Sequence, residues 1–415
     1  MPAKAARAKK GAQPTRRILS AAAALGGKMS ETTIQVPITN IYMDGDYTGT
    51  ILVGSQKKPI NVILDTGSST LAIDGTKYDP TKDTTAKVTD IAQEVSYADG
   101  SNWVGAVVST NVSVGSGSPV VLQKVNVAVA YHASETMFRQ SQGILGLAYT
   151  KLNNAFVMPG PTIPPKNTFN QIQAGKVTYI EPYFTELESA GLVADKFAFY
   201  TRRSMVNLAT HNPATDPLNN GYLILGGGEE YTNLYSGPFQ VARVVHDLYY
   251  NVNLKSITVG GGAPIEVESP TKASGNISNS VVDSGTNSIL LDQKLFDAIV
   301  QQFSSSDDTT LEDALRAGYV PMSKLNLADW PPITFVLEGA LGKDVSLVVT
   351  PETYWQTNSP KPGYATAVLF GDSGQGGGQS ILGLPLMNNY FTVFDRSVDK
   401  GLGVVSFAKM NPNAK

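Results

Sequence analysis

A mainly β fold with a few helices, built from one unit used twice, is what the 415-residue sequence predicts. Three observations carry that prediction. Apolar residues alternate with small or polar ones over short stretches, as in Val125, Val127 and Val129 around Asn126 and Ala128, and again in Tyr250, Val252 and Leu254. A period of two is that of a half-buried strand. The 39 Gly and 24 Pro supply the turns that many short strands need. Finally, ILDTGSSTLAID (63–74) returns as VVDSGTNSILLD (281–292), and QGILGL (142–147) returns as QSILGL (379–384). An ordered pair of motifs that recurs in the same order marks an internal repeat.

Composition narrows the chemistry. Hydrophobic residues make up 42% and charged residues 16% of the chain, enough apolar material for a large core. The absence of cysteine removes disulfides, thiol catalysis, thiolate zinc sites and iron–sulfur clusters together. His132, His211 and His246 lie far apart with no HExxH between them, so no metal or cofactor is expected. The body has no Lys/Arg-rich patch, which argues against nucleic acid as a partner. No apolar run approaches the ~18 residues of a membrane span.

Taken in chain order, residues 1–28 carry seven basic residues and no acidic one, leaving 25 basic against 35 acidic for the rest. The run ILSAAAALGG (18–27) and Thr15-Arg16-Arg17, which resembles part of a twin-arginine export signal, leave three readings of 1–33 open: a basic tail, a short prosegment or an export signal. A cysteine-free chain suits a reducing compartment, so the expectation is cytoplasmic, with export through 1–28 as the alternative. Two glycosylation sequons, at Asn111 and Asn276, carry no weight without a secretory context.

From residue 34 onward the chain reads as strands. Residues 94–104 (EVSYADGSNWV) place Asp99-Gly100 between two strand-like arms, a strong hairpin signal, with Tyr97 two residues before the turn. Residues 150–180, with Pro159, Pro161, Pro164 and Pro165, read as a long surface loop, and the Gly/Ser stretch 371–380 as another. Helices are expected over Gln293–Phe303, with Leu295, Phe296, Ile299 and Val300 on one face, and from Thr309, where Glu312 completes a capping box.

The repeat carries the chemistry. An apolar strand runs into Asp65 and turns at Gly67, where a missing Cβ removes a clash. Thr66 and Ser68 offer hydroxyls near the carboxylate, and Ser284, Gly285 and Thr286 offer the same set around Asp283. The two aspartates are 218 residues apart. One Asp-[Ser/Thr]-Gly-[Ser/Thr] motif arises by chance in roughly one chain of this size in fifty. Two copies, each followed by the same Ile-Leu-Gly echo, make chance a poor account. If the halves pair about a pseudo-twofold axis, Asp65 and Asp283 face each other and share a proton. One is then a base for water and the other an acid for a carbonyl.

At these residues the chain resembles the pepsin-like aspartic endopeptidases, from about Tyr47 to Phe407. The segments that carry the resemblance are ILDTGSS (63–69), SYADGS (96–101), GILGLAY (143–149), GYLILGGG (221–228), VVDSGTN (281–287), ILG (381–383) and YFTVFDR (390–396). The resemblance implies a bilobal fold of two pseudo-twofold-related β-barrel-like lobes, 34–225 with Asp65 and the flap 94–104, and 226–415 with Asp283. It implies that Asp65 and Asp283 are the catalytic dyad, that Thr66 and Ser284 tie the two Asp loops together, and that Ser68 and Thr286 stand beside each carboxylate. It makes Tyr97 the flap tyrosine and Asp99 and Gly100 the flap tip that hydrogen-bonds substrate backbone. Gly67 and Gly285 fall at the substrate-facing turns, Gly146 and Gly383 behind each Asp loop, and Ile63 and Ile144 in the pocket for the residue before the cut. Peptide or protein substrates, an acid optimum and a monomer follow from the same likeness.

The chain also departs from that pattern. The family often has disulfides. It often has Trp where this chain has Ala72, as an indole partner for the flap tyrosine; Trp103, in the second arm of the flap, is the candidate replacement. Of the rival readings, GDSG (371–374) resembles a serine-protease nucleophile turn but lacks a matching His segment upstream. A two-carboxylate glycosidase gives no reason for symmetry-related turns. A catalytically inactive pepsin-like scaffold that binds peptides or proteins is the alternative that remains.

Overall fold

The computed structural model describes residues 32–40, 46–163, 172, 174–205, 216–270, 277–303, 310–340, 342–372 and 379–414. Residues 1–31 of the basic head, His211, the sequon at Asn276, Thr309, and Ser373 and Gly374 of the GDSG run lie outside these residues.

Seven strands of the first half position Asp65: β1 (Tyr47–Val53), β2 (Lys58–Asp65), β3 (Leu71–Asp74), β4 (Lys87–Ser96), β5 (Asn102–Val114), β6 (Val120–Ala133) and β7 (Gly143–Gly146). β1 and β2 form a hairpin that turns at Gly54, whose φ of +75° a side chain would oppose. Past that turn, β2 leaves solvent and its last four residues are all buried. It runs parallel to β7, with Val62 opposite Gly143 and Asp65 opposite Gly146. Both faces of this part of β2 are buried, which is why VIL at 62–64 is a continuous apolar run. β3 returns antiparallel to β7 and parallel to β6.

The second half repeats this wiring with β8 (Ser280–Val282), β9 (Ile289–Asp292), β10 (Leu369–Asp372) and β11 (Ser380–Leu382). β8 is parallel to β11, β9 is antiparallel to β11, and β9 is parallel to β10. The sequence repeat is therefore a repeat of strand pairings, and the mainly β class holds.

A continuous sheet joins strands from both ends of the chain. Lys196–Tyr200 lies between Asn220–Leu225 on one side and Tyr390–Asp395 on the other, and Val404–Met410 pairs beyond it. Phe197 stacks on Phe394 at 5.0 Å between ring centroids, and Tyr250 meets Phe394 edge-on at 4.6 Å. Buried side chains of this size contribute roughly 1.5–3 kcal/mol each. Arg396, 5% exposed, caps the cluster: its guanidinium lies over Phe184 and pairs with Asp195 at 2.8 Å.

The longest helices among the described residues are α1 (Tyr183–Ser189), α2 (Gln293–Phe303) and α3 (Thr310–Ala317). α2 has the expected bounds and buries Phe296, Ile299, Val300 and Phe303. Asp292 accepts from the Lys294 N–H at 2.9 Å, and Asp74 accepts from the Thr76 N–H at 2.8 Å, so both act as turn residues.

The loop expected over 150–180 needs correction. Asn154–Val157 pairs with Lys176–Tyr179 and also with β4, Ile91 opposite Val157. Strands of four residues are too short to display a period, and the neighbouring prolines dominate the local signal.

Candidate active site

Asp65 ends β2, and residues 66–70 loop over β7. The Leu147 N–H donates to the Asp65 carbonyl at 2.7 Å, and the Gly146 N–H to the Thr70 carbonyl at 3.0 Å. A Cβ at Gly146 would lie 2.5 Å from the backbone of Ser69 and Thr70, so only glycine lets the loop rest there. Asp283 sits in the equivalent loop between β8 and β9. The Leu384 N–H donates to the Thr286 carbonyl at 2.8 Å, and a Cβ at Gly383 would lie 2.2 Å from the Ser288 carbonyl oxygen.

The two loops are bolted to each other. The Thr66 N–H donates to Ser284 Oγ at 3.0 Å, and the Ser284 N–H donates to Thr66 Oγ1 at 2.8 Å. Each hydroxyl then passes its own proton on, Thr66 to the Val282 carbonyl at 3.1 Å and Ser284 to the Leu64 carbonyl at 2.7 Å. All four bonds are buried and every hydroxyl donates once and accepts once. This two-way use requires Ser or Thr at both positions.

Asp65 is 6% and Asp283 9% exposed, and the two carboxyls converge on Gly285, where an added Cβ would lie 2.2 Å from Asp65 Oδ1 and 3.3 Å from Asp283 Oδ1. Asp65 Oδ1 accepts from the Gly67 N–H at 2.7 Å and Oδ2 from the Ser68 hydroxyl at 2.5 Å. Asp283 Oδ1 accepts from the Gly285 N–H at 2.8 Å and Oδ2 from the Thr286 hydroxyl at 2.7 Å. Burial, then the charge of Asp283, holds the Asp65 carboxyl well above the usual carboxylate range, against the opposing pull of Ser68 and Gly67.

The Cβ clash expected at these glycines is with the other half of the chain rather than within the turn. Neither Gly67 nor Gly285 has a left-handed φ. What excludes a side chain is the opposite carboxylate: a Cβ at Gly67 would lie 2.7 Å from both Asp283 oxygens, and one at Gly285 2.2 Å from Asp65 Oδ1.

The hairpin of β4 and β5 turns through residues 97–101. The Gly100 N–H donates to the Tyr97 carbonyl at 3.0 Å and the Tyr97 N–H to the Ser101 carbonyl at 2.8 Å. Gly100 has φ +82° and open space around it, so here the backbone angle favours glycine. Asp99 Oδ1 accepts from the Ser101 N–H at 2.9 Å and its hydroxyl at 2.6 Å.

Tyr97 packs into an apolar cluster with Ile63, Ala72, Trp103, Met137 and Ile144. Trp103, in β5, is fully buried in the cluster that holds Ala72 and against which Tyr97 packs. The Tyr97 hydroxyl is buried; burial and then the Asp65 charge push its pKa up, while the nearby Trp103 and Ser68 polar groups oppose the rise. Those groups are close to the hydroxyl without the alignment of a full hydrogen bond.

One open cavity of about 760 Å³ gathers Asp65, Asp283, Gly67, Gly285, Ser68, Thr286, Ile63, Ile144, Tyr97 and Asp99. Thr66 and Ser284 lie behind it, fully buried. Gly100 is exposed at the hairpin tip and is not part of the lining. The cavity adds residues that sequence reasoning missed, among them Asp46, Met137, Arg139, Tyr249 and Leu290. Burial, then the charges of Asp283 and Asp65, push the Tyr249 phenol up. Its signal in the sequence was slight: an aromatic in the opposite phase to Tyr250, Val252 and Leu254.

Among the described residues, no group of three or more His, Asp or Glu side chains is arranged to hold a metal, and no helix is long and apolar enough to cross a membrane. A family model described as eukaryotic aspartyl protease matches residues 46–410. Pepsin B of Canis lupus familiaris is 26% identical over 380 residues, covering 88% of this chain and 82% of its own length. Gastricsin of Mus musculus is 24% identical, with 85% and 79% covered. A beta-secretase of Strongylocentrotus purpuratus is 23% identical, with 83% of this chain and 63% of its own length covered.

Proposed function

The chain belongs to the eukaryotic aspartyl protease family, and from that premise we propose that it is an aspartic endopeptidase whose dyad is Asp65 and Asp283. The observation that carries this reading is the pair of buried carboxyls that face one cavity, each with a backbone N–H on Oδ1 and a hydroxyl on Oδ2. Two carboxyls so placed hold one proton between them and titrate as a unit; aspartic proteases are the general precedent for this behaviour. The ionised member takes a proton from a water held between them while the protonated member donates to the scissile carbonyl oxygen. A gem-diol forms without an acyl-enzyme, and collapses with proton transfer to the leaving amine.

The remaining parts serve that step. The hairpin 94–104 closes over an extended peptide, with Tyr97 as its inner wall and Asp99 and Gly100 at the tip. Main-chain bonds supply affinity, and alternate side-chain pockets supply specificity. Ile63 and Ile144 favour hydrophobic residues at the cut. Thr286 donates to Asp283 and so favours the ionised dyad, which supports an acidic working range. Activity falls as pH rises through the raised pKa of Asp65, where the shared proton is lost.

The test is cleavage of a quenched peptide with a central Phe-Phe pair from pH 3 to 7, by the wild type and by Asp283→Asn. Cleavage by the wild type alone, blocked by a statine-type inhibitor, is the expected result. No cleavage at any pH, with tight peptide binding, would establish the inactive binding scaffold instead. A cytoplasmic location is proposed from the cysteine-free composition; recovery of the protein outside the cytoplasm on cell fractionation would overturn it.

A further inference from the structure

Of the described residues that line the cavity, Arg139 is the one Lys or Arg. It stands in the turn between β6 and β7 with φ +48°, a left-handed conformation that a side-chain-bearing residue keeps only where the surroundings fix it. Its Nη1 is paired with Asp46, a carboxylate 1% exposed. That contact anchors the inner edge of the guanidinium. Its Nη2 lies 3.8 Å from Asp99 Oδ2, at the tip of the hairpin.

The two contacts differ in kind. Asp46 is buried beneath the arginine. The Asp99 side chain is 49% exposed, its Oδ1 is committed to Ser101, and its Oδ2 is beyond hydrogen-bond reach of Nη2. A loose, half-solvated ion pair of this type contributes little and exchanges readily. The carboxylate of Asp99 thus stands beside the outer edge of the guanidinium in the lining of the cavity, and on the proposed function the hairpin that carries it lifts to admit a peptide.

We propose that Arg139 is a specificity-determining residue that receives an acidic side chain of the substrate, exchanging Asp99 for it as the hairpin lifts. The inference rests on the peptide-cleaving reading for the occupant of the cleft. Arg139 shares the cavity with the apolar Met137, Ile63 and Ile144, where a charge is poorly screened and a planar guanidinium is a good partner for a carboxylate. Successive side chains of an extended peptide point to opposite faces, so the acidic residue falls two positions from a hydrophobic residue at the cut. The other ionisable carboxylates of the cavity are the dyad and Asp372 on β10, so an acidic residue elsewhere meets repulsion. The preference is therefore confined to one position.

The test uses quenched Phe-Phe peptides in which one Glu or Gln is walked through three positions on either side of the cut. Cleavage is read at about pH 5.5, above the usual ~4.3 of Glu. Binding of the same peptides to Asp283→Asn is measured beside it. At one position Glu is expected to raise kcat/KM about tenfold over Gln, the scale of one charge-assisted hydrogen bond. Arg139→Gln brings that ratio to about one. Arg139→Lys, which keeps a cation on the buried Asp46, retains part of it. Asp99→Asn, which keeps the Oδ1 acceptor and removes the competing charge, enlarges it, and this variant decides the matter should Arg139→Gln fail to fold.

Cleavage with Glu and Gln equal at every position, or a Glu preference unmoved in Asp99→Asn and Arg139→Lys, would overturn the proposal and leave the protease reading standing. Binding with an Arg139-dependent Glu preference but no cleavage would sustain the role of Arg139 and overturn the protease reading. Neither binding nor cleavage would overturn both.

Discussion

Gly67 abuts the carboxylate of Asp283, the aspartate of the other half: a methyl group there would lie 2.7 Å from both oxygens. Gly285 stands in the same relation to Asp65, at 2.2 Å from Oδ1. Each glycine thus makes room for the carboxylate that it does not adjoin in sequence. Gly67→Ala and Gly285→Ala are expected to fold and to lose about 10²-fold or more in kcat, since a displacement of ~1 Å at the reacting groups has that effect. Peptide kinetics with thermal melts on the same samples separate this from unfolding; a variant with near-normal kcat would contradict it.

Thr66→Val and Ser284→Ala each remove a hydroxyl that both donates and accepts in a buried site. Each leaves an N–H and a carbonyl unpaired, at ~1–3 kcal/mol per group. Because the four bonds form one network, the double variant should lose less than the sum of the singles. A denaturant-unfolding cycle measures this, and strict additivity would count against a coupled network.

The raised pKa of Asp65 also makes a statement about stability. The folded state favours its protonated form, so its contribution is fully favourable below the unfolded pKa of about 3.9 and is lost as pH rises through the folded value. Asp65→Asn, inactive, should therefore melt above the wild type at pH 7. The gap should close as pH drops below about 4. Equal gaps at both pH values would contradict the assignment.

Trp103 and Ala72 share one buried cluster, so their sizes should be coupled. Trp103→Ala should lose ~3–5 kcal/mol. Ala72→Trp should overpack and lose ~1–3 kcal/mol or more. Combined, the two changes should recover part of the loss, with KM for peptide tracking the repair because Tyr97 packs on the same cluster. Losses that simply add would show that the indole cannot serve from position 72.

Asp83, which lies outside the lining of the cavity that holds Asp65 and Asp283, offers a control. Its carboxylate accepts from the Ser55 and Thr85 N–H groups at 2.8 and 2.9 Å and from the hydroxyls of Tyr78, Thr85 and Thr110 at 2.6, 2.7 and 2.5 Å. Asp83→Asn turns a pure acceptor into a group that also donates. It should cost about 1.5–3 kcal/mol, the usual worth of a hydrogen bond to a charge. kcat of the folded fraction should stay unchanged, as activity and melting on one preparation will reveal.

Local chemistry explains what the sequence disclosed. The aspartate loops, the Asp99-Gly100 turn and the amphipathic face of α2 each follow from residues within a dozen positions of one another. Arg139 and Tyr249 gave no such signal, because what brings them to the cavity is strand pairing across large separations. The reason for Gly67 was equally hidden: its constraint comes from Asp283, not from its own φ. The strand pair at 154–157 and 176–179 was masked by length, four residues being too few to show alternation.

The pairing of Lys196–Tyr200 with Tyr390–Asp395 has a consequence for synthesis. A chain emerging N-terminus first presents Lys196–Tyr200 with one edge unpaired until the last strands arrive almost two hundred residues later. At ~5–20 residues per second that exposure lasts ~10–40 s. An open strand edge invites pairing with other chains. The nascent protein is thus at its most vulnerable during translation of its second half, and a ribosome stalled there would hold a sticky intermediate rather than a finished lobe.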